Sequence, residues 1–302
     1  MIKETNSTAS FNKSTKLAVL SSKPEKKCCK KARLLGLLLF GQVFSETEIR
    51  FASENEAAVD HILSLAEKNL KISLEKYKES FSELHKISVQ DPNVCSEVLK
   101  FFGYGKEMSA YYIPQEIFRC ESCKTEFLKG VFIACGNVSD PEKSYHLEMS
   151  VSYFNLSRDL LYFLKKMGME AKYTKRASHY VIYYKESEKI VDFLGLLDAK
   201  KENFEYYNTL IEKDLRNQIN RLNNCETANM TKQISAAAKQ IEAINHLFAH
   251  GEKEELSDEL LETATIRLEN PSASLLELAN LHNPPVTKSC VNRRLKKLTE
   301  LV

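Results

Sequence analysis

The 302-residue chain has no tryptophan and almost no net charge: 43 Lys and Arg stand against 41 Asp and Glu, for +2. So small a balance gives no molecule-wide field to draw the protein to nucleic acid, and any basic surface must be local. Long apolar runs are also missing. The longest, around Leu34–Phe44, falls well short of the roughly 20 residues that a bilayer span needs, so no membrane-spanning helix is expected. Leu17–Leu20 is the one candidate for the apolar part of a signal peptide and is too brief, which makes the cytoplasm the expected location. There the eight cysteines are expected as thiols, not disulfides. The remaining composition, 43% apolar and 28% charged, is that of a globular chain long enough for about two domains.

Two glycine-centred apolar segments repeat each other. One reads Leu34-Leu35-Gly36-Leu37-Leu38-Leu39-Phe40-Gly41-Gln42, the other Leu128-Lys129-Gly130-Val131-Phe132-Ile133-Ala134-Cys135-Gly136. A helix apolar nearly all round is buried on most sides, and a mid-helix glycine costs stability unless a close backbone approach uses it. The pair therefore predicts two pseudo-symmetric helices crossing at the centre of a duplicated domain. It resembles the LAGLIDADG family, whose paired helices each bring one carboxylate to a two-metal DNA-cleaving centre. The matching positions here are Gly41 and Cys135, which cannot hold Mg²⁺. The resemblance implies the scaffold with its catalytic positions lost: no catalytic residue, no metal ligand. Asp140 and Glu142, in a Pro-containing stretch, read as turn residues, and only Glu46 and Glu48 stand in a comparable place in the first copy. No Gly-rich phosphate loop is present, so no cofactor is expected.

Cys28, Cys29, Cys120 and Cys123 precede the two glycine segments. Cys120-x-x-Cys123 invites a zinc reading, but the pairs are adjacent in one copy and spaced in the other, an unpromising ligand spacing. They are read as small, part-buried residues at helix starts.

The same order of elements follows each glycine helix. In the second copy, Ser139–Lys143 is a turn. Tyr145–Val151 alternates as a strand, Asn155–Met167 has helical spacing with Gly168 as its cap, strands lie near Ala171–Lys175 and Tyr180–Tyr184, and a helix at Glu188–Leu197 closes the unit. The first copy reads as a strand at Glu48–Ala52, a helix at Glu54–Lys68, strands near Leu70–Tyr77 and Leu84–Val89, and a helix at Val94–Phe102. A short extra strand follows each glycine helix, and Gly103–Pro114 joins the copies. From Asp214 onward, Leu215, Ile219, Leu222, Ile234, Ala238, Ile241 and Ile244 recur at helical spacing, as one long helix or two meeting near Cys225–Met230. Its polar side is rich in amides, among them Asn217, Gln218, Asn220 and Asn224. They suit a solvated bridge between domains, the reading preferred, with contacts to phosphates and base edges as the alternative.

The last fifty residues carry the functional signal. A helix is predicted over Leu256–Leu268. Ser274-Leu275-Leu276-Glu277 is a capping box that opens a second helix, and His282-Asn283-Pro284-Pro285 ends it. Thr287 caps a third helix through Leu301, with Val291, Leu295 and Leu298 inward. This is the outline of a helix-turn-helix from Ser274 to Leu301. At 100° per residue, Ser289, Asn292, Arg293 and Lys296 face away from the apolar stripe, flanked by Arg294 and Lys297. With Lys288, these put five cations against Glu300 alone, on a chain nearly neutral overall. Arg bonds guanine bidentately and Asn adenine, while Thr287, Ser289 and the rim cations suit phosphates. The alternative is a C-terminal helix whose cations only complement its dipole.

Longer motifs resemble one family. They are Cys28-Cys29-Lys30-Lys31-Ala32, Asp140-Pro141-Glu142-Lys143-Ser144-Tyr145-His146-Leu147-Glu148, and Tyr184-Lys185-Glu186-Ser187-Glu188. Next come Arg216-Asn217-Gln218-Ile219-Asn220-Arg221, Asn224-Cys225-Glu226-Thr227-Ala228-Asn229 and Pro284-Pro285-Val286-Thr287-Lys288-Ser289. The chain resembles WhiA, the bacterial DNA-binding regulators linked to sporulation and cell division. The spaced Cys120 and Cys123 depart from the adjacent pair more usual there. The resemblance implies an α+β fold, with a duplicated LAGLIDADG-like α/β repeat domain followed by an all-α C-terminal helix-turn-helix domain. The expected division is a loosely matching N-terminal arm (1–27), the duplicated domain (28–213, repeats about 28–102 and 120–200), a helical linker (214–253) and the helix-turn-helix (254–302). The expected function is binding of double-stranded DNA without nuclease activity, as a transcription regulator in cell division, chromosome segregation or sporulation, with RNA polymerase or a sigma factor as candidate partners. A nucleoid-associated division factor acting mainly through protein partners is the alternative, and an active homing-type endonuclease the remote one.

Overall fold

Gly36 and Gly130 decide the architecture. In the computed structural model, which describes residues 10–81, 83–105, 110–251 and 256–302, helices α2 (Lys27–Leu39) and α5 (Glu121–Cys135) cross at these glycines. A Cβ on Gly36 would sit against Phe127 O and 2.9 Å from Val131 N; one on Gly130 would sit against Arg33 O and 2.9 Å from Leu37 N. The helices touch backbone to backbone, a contact no larger residue permits.

Around this crossing the chain builds the same unit twice. After α2 come β1 (Val43–Phe44), β2 (Ile49–Ser53), α3 (Glu56–Leu70), β3 (Lys78–Phe81), β4 (Leu84–Val89) and α4 (Pro92–Phe101). After α5 come β5 (Gly136–Val138), β6 (Leu147–Val151), α6 (Phe154–Lys166), β7 (Lys172–Arg176), β8 (His179–Tyr184) and α7 (Ser187–Leu196). The antiparallel sheets share one strand order, β1-β2-β4-β3 and β5-β6-β8-β7. Phe51 pairs with Ile87, and Met149 with Ile182, so both sheets turn buried apolar residues to one face. Gly168 has φ +78, the left-handed conformation expected of a residue ending α6.

Two expectations for this unit need correction. No strand forms at Leu70–Tyr77: α3 runs through Leu70, Lys71 turns left-handed at φ 59, and 75–77 is a 3₁₀ turn. The strand is Lys78–Phe81, an exposed edge whose residues lack the alternation that marks a half-buried strand. The N-terminal arm is not separate from the core either. Its described part forms α1 (Phe11–Ser21), capped by Ser10, with Thr15 and Val19 fully buried. Residues 1–9 of the arm, 106–109 of the joining segment, 252–253 of the expected linker and 254–255 of the helix-turn-helix lie outside the described residues.

The chain divides into two compact units, one through Glu212 and one from Lys213. The first turns of α8 (Lys200–Ala249) belong to the first unit, where Tyr206 is buried beside Phe11 and Tyr145. The rest belongs to the second. There Ile244 and Leu247 join the core formed with α9 (Asp258–Glu269), α10 (Leu275–Leu281) and α11 (Lys288–Glu300). The expected linker is thus partly core. Three helices of 12, 7 and 13 residues have too little apolar surface to enclose one another, and a fourth supplies the missing wall.

Candidate nucleic-acid interface

Helix α11 begins where its cap dictates. Thr287 Oγ1 accepts from Cys290 N at 3.2 Å, and Val291, Leu295 and Leu298 are fully buried against α9 and α10. The preceding helix is held by a complete capping box. Glu277 N donates to Ser274 Oγ at 3.3 Å, and Ser274 N donates to the Glu277 carboxylate at 2.7 Å, which lowers the Glu277 pKa. Between α10 and α11, buried His282 bridges the backbone O of Leu278 (2.8 Å) and Thr263 Oγ1 (3.0 Å). One turn further along the same face of α9, buried Arg267 donates to Ala273 O at 2.8 Å and pins the turn before α10. These contacts fix the connections on either side of α10.

With its apolar stripe inward, α11 exposes Lys288, Ser289, Asn292, Arg293, Lys296 and Lys297 together with the cap residue Thr287. Lys296 reaches Glu300 at 3.5 Å, a solvated pair one turn along. Arg294 does not join this face. Its side chain is 11% exposed and pairs with Glu259 of α9 at 2.9 Å, so it ties α11 to the bundle. The 100° projection predicts Arg294 at the rim; the long side chain instead folds back toward α9, where its stem is covered.

The ends of the glycine helices are chemically different. Gly41 follows the last turn of α2 and Cys135 is the last residue of α5. Cys135 and Gln42 line a cleft of about 410 Å³ with Lys13, Lys16 and Glu54. Glu54 is the one carboxylate among the described residues lining it. Burial lowers the pKa of the Lys16 ammonium, a shift opposed by Cys135 and Glu54, and burial pushes the Cys135 thiol up to about 12. Paired carboxylates that could share two divalent cations are not found there. Asp140 closes its turn by accepting from Glu142 N at 2.9 Å, and Glu48 accepts from Arg50 Nε at 2.8 Å.

Comparison with known proteins places both units. Residues 124–216 match the WhiA LAGLIDADG-like domain, and 219–302 match the WhiA C-terminal HTH domain. A probable cell division protein WhiA of Alkaliphilus metalliredigens is 32% identical over 307 residues, spanning 97% of each chain. The chain belongs to the WhiA family. A second WhiA, from Ruminiclostridium cellulolyticum, is 34% identical over 284 residues and 91% of each chain. Full-length DUF199/WhiA from Thermatoga maritima has the same fold, with a TM-score of 0.60 at 22% identity over 97% of this chain and 98% of that one. A LAGLIDADG-like α/β domain followed by a helical HTH domain is therefore the architecture of this WhiA chain. Among the described residues no helix is long and apolar enough to cross a membrane.

The four cysteines that the sequence reads as separate, part-buried helix-start residues form one group. Cys28 and Cys29 in the first turn of α2, and Cys120 and Cys123 at the start of α5, have all four Sγ atoms within 4.8 Å of one another. Their linear spacings differ, but the pseudo-symmetric crossing brings the two helix starts together.

Proposed function

We propose that this WhiA chain is a DNA-binding regulator of bacterial cell division that grips duplex through α11 and does not cut it. The observation that carries this reading is the exposed face of α11, where four cations, Asn292 and Ser289 stand free of the buried stripe. Such a face supplies phosphate contacts from the cations and base-edge contacts from Arg293 and Asn292. The HTH match over 219–302 supports the same element, and the names of the two relatives support the link to division. The absence of nuclease activity rests on Gly41 and Cys135, with Lys16 in place of a carboxylate pair. Regulation of transcription at promoters, with RNA polymerase or a sigma factor as partner and residence on the nucleoid, is the fuller form of the reading. A single helix-turn-helix makes few contacts, and a partner would add the specificity that it lacks.

The test uses the full chain. Fluorescence anisotropy on labelled duplex should give binding that weakens steeply with salt. The combined Lys288→Ala, Arg293→Ala, Lys296→Ala and Lys297→Ala variant should lose that binding while remaining folded. Retained affinity in this variant sinks the assignment to α11. Plasmid incubated with Mg²⁺ or Mn²⁺ should stay supercoiled; nicking that survives repurification restores the enzyme reading. Genome-wide occupancy with sharp promoter peaks supports transcription control, whereas diffuse occupancy supports a division factor working through protein partners.

A further inference from the structure

Four thiols meet where α2 and α5 begin. Cys120 Sγ lies 3.7 Å from Cys28 Sγ, 3.5 Å from Cys29 Sγ and 3.5 Å from Cys123 Sγ, and Cys29 Sγ lies 3.9 Å from Cys123 Sγ. A disulfide needs sulfurs about 2.0 Å apart. A zinc ion bound at about 2.3 Å by each of four sulfurs in a tetrahedron sets them about 3.8 Å apart. These four spacings match the second arrangement, and all six pairs lie within 4.8 Å.

Both helices present their N-termini at the cluster, where the helix dipole favours negative charge: Cys28 and Cys29 lie in the first turn of α2, and Cys120 is the N-cap of α5. Cys28 also lines a cleft with Lys27, Lys31, Lys100 and Arg119, cations that suit a centre with two net negative charges.

We propose that Cys28, Cys29, Cys120 and Cys123 form a closed, structural tetrathiolate site for one zinc ion, clasping the two repeats at the head of their crossing helices. Two cysteines come from each repeat, so the ion adds a link between halves that the packed crossing and the Arg33–Glu126 pair also join. On binding, four Zn–S bonds form and the thiol protons pass to solvent. Four protein ligands leave no open position, and all-sulfur tetrahedral coordination selects a soft or borderline metal over Mg²⁺ or Ca²⁺.

The full chain, purified under reducing conditions without chelator, should carry one zinc by elemental analysis. Exchange into Co²⁺ should give the tetrahedral ligand-field and thiolate charge-transfer bands of a four-sulfur site. The four thiols should resist a disulfide reagent until a chelator strips the metal, while Cys225 reacts throughout. The Cys28→Ser, Cys120→Ser double variant should drop to near-zero zinc, and Cys225→Ser should keep the full complement. Should the double variant not fold, the metal count, cobalt spectrum and thiol protection of the unaltered chain decide alone. Iron at one per chain, zinc-free protein with all four thiols open, or a disulfide within the cluster after anaerobic purification overturns the proposal.

Discussion

Arg33 and Glu126 form an ion pair inside the helix crossing, with Arg33 Nη2 2.5 Å from the Glu126 carboxylate and the Arg33 side chain fully buried. Lys129 joins them, reaching Glu126 at 3.2 Å and Ser22 Oγ at 3.1 Å, while Arg33 also donates to Ser22 O. Removing one partner strands a charge away from water. Glu126→Ala should therefore cost about 3–5 kcal/mol of stability in urea unfolding. A loss below about 1 kcal/mol would mean that water reaches the guanidinium.

The same locality sets an acid limit. Burial, and then the charges of Arg33, Lys23 and Lys68, push the His61 imidazole down to about 4. The unfolded side chain titrates near 6.5, so between there and about pH 4 the unfolded state binds more protons. Stability is full above about pH 6.5 and falls as the pH drops through that window, by about 3 kcal/mol in all. Unfolding at about pH 7 and pH 4.5 should show a smaller acid loss in His61→Gln than in the unaltered chain. Equal losses assign the effect to other groups.

Glycine substitutions separate close approach from mere flexibility. Gly130→Ala would drive a methyl into Arg33 O and should destabilise by about 3 kcal/mol or more. Gly195, in α7, has Asn203 Nδ2 at 3.4 Å as the one neighbour of such a methyl. Gly195→Ala should be neutral or should stabilise by about 0.5–1 kcal/mol. Paired thermal scans decide it; similar midpoints for both variants contradict the packed crossing.

Neighbouring arginines of α11 should behave oppositely. Arg293→Ala, at the exposed face, should leave the unfolding midpoint unchanged and cost about 1–3 kcal/mol at one base pair. Arg294→Ala should lower stability by about 1 kcal/mol through loss of the Glu259 pair and its covered stem, with base preference intact. Lys297→Ala should reduce the salt slope by about one counterion without altering preference. If Arg293→Ala weakens all sequences equally, that side chain touches only phosphate.

Cysteine reactivity gives a further check. Cys225 is exposed, whereas burial holds the Cys135 thiol near pKa 12. Iodoacetamide at about pH 8 should label Cys225 first and leave Cys135 unmodified until the chain unfolds.

Much of this architecture is legible in the residues because it is local. The two glycine segments announce their crossing through burial on every side, and Ser274, Glu277 and Thr287 mark helix starts by chemistry that acts within one turn. What escapes depends on partners far along the chain. Lys78–Phe81 is a strand because β4 pairs with it, not because its residues alternate. Ile244 belongs to the second core because α9–α11 need a wall. Arg294 is lost from the reading face to an acid 35 residues away, which no helical projection contains. The thiols form one cluster across 91 to 94 residues, and the spacing within the repeats, adjacent in one and Cys-x-x-Cys in the other, does not show that the two pairs meet.

Lys16 has a consequence for reversibility. Its amine lines the cleft that also holds Cys135, carried there by a helix whose Thr15 and Val19 are locked in the core. Aspartates placed at 41 and 135 would share that cleft with the Lys16 amine, which competes with any divalent ion for the same oxygens. A two-metal centre there would therefore need a changed side chain on α1 as well as two added acids, so more than two missing carboxylates separates this cleft from a cation site.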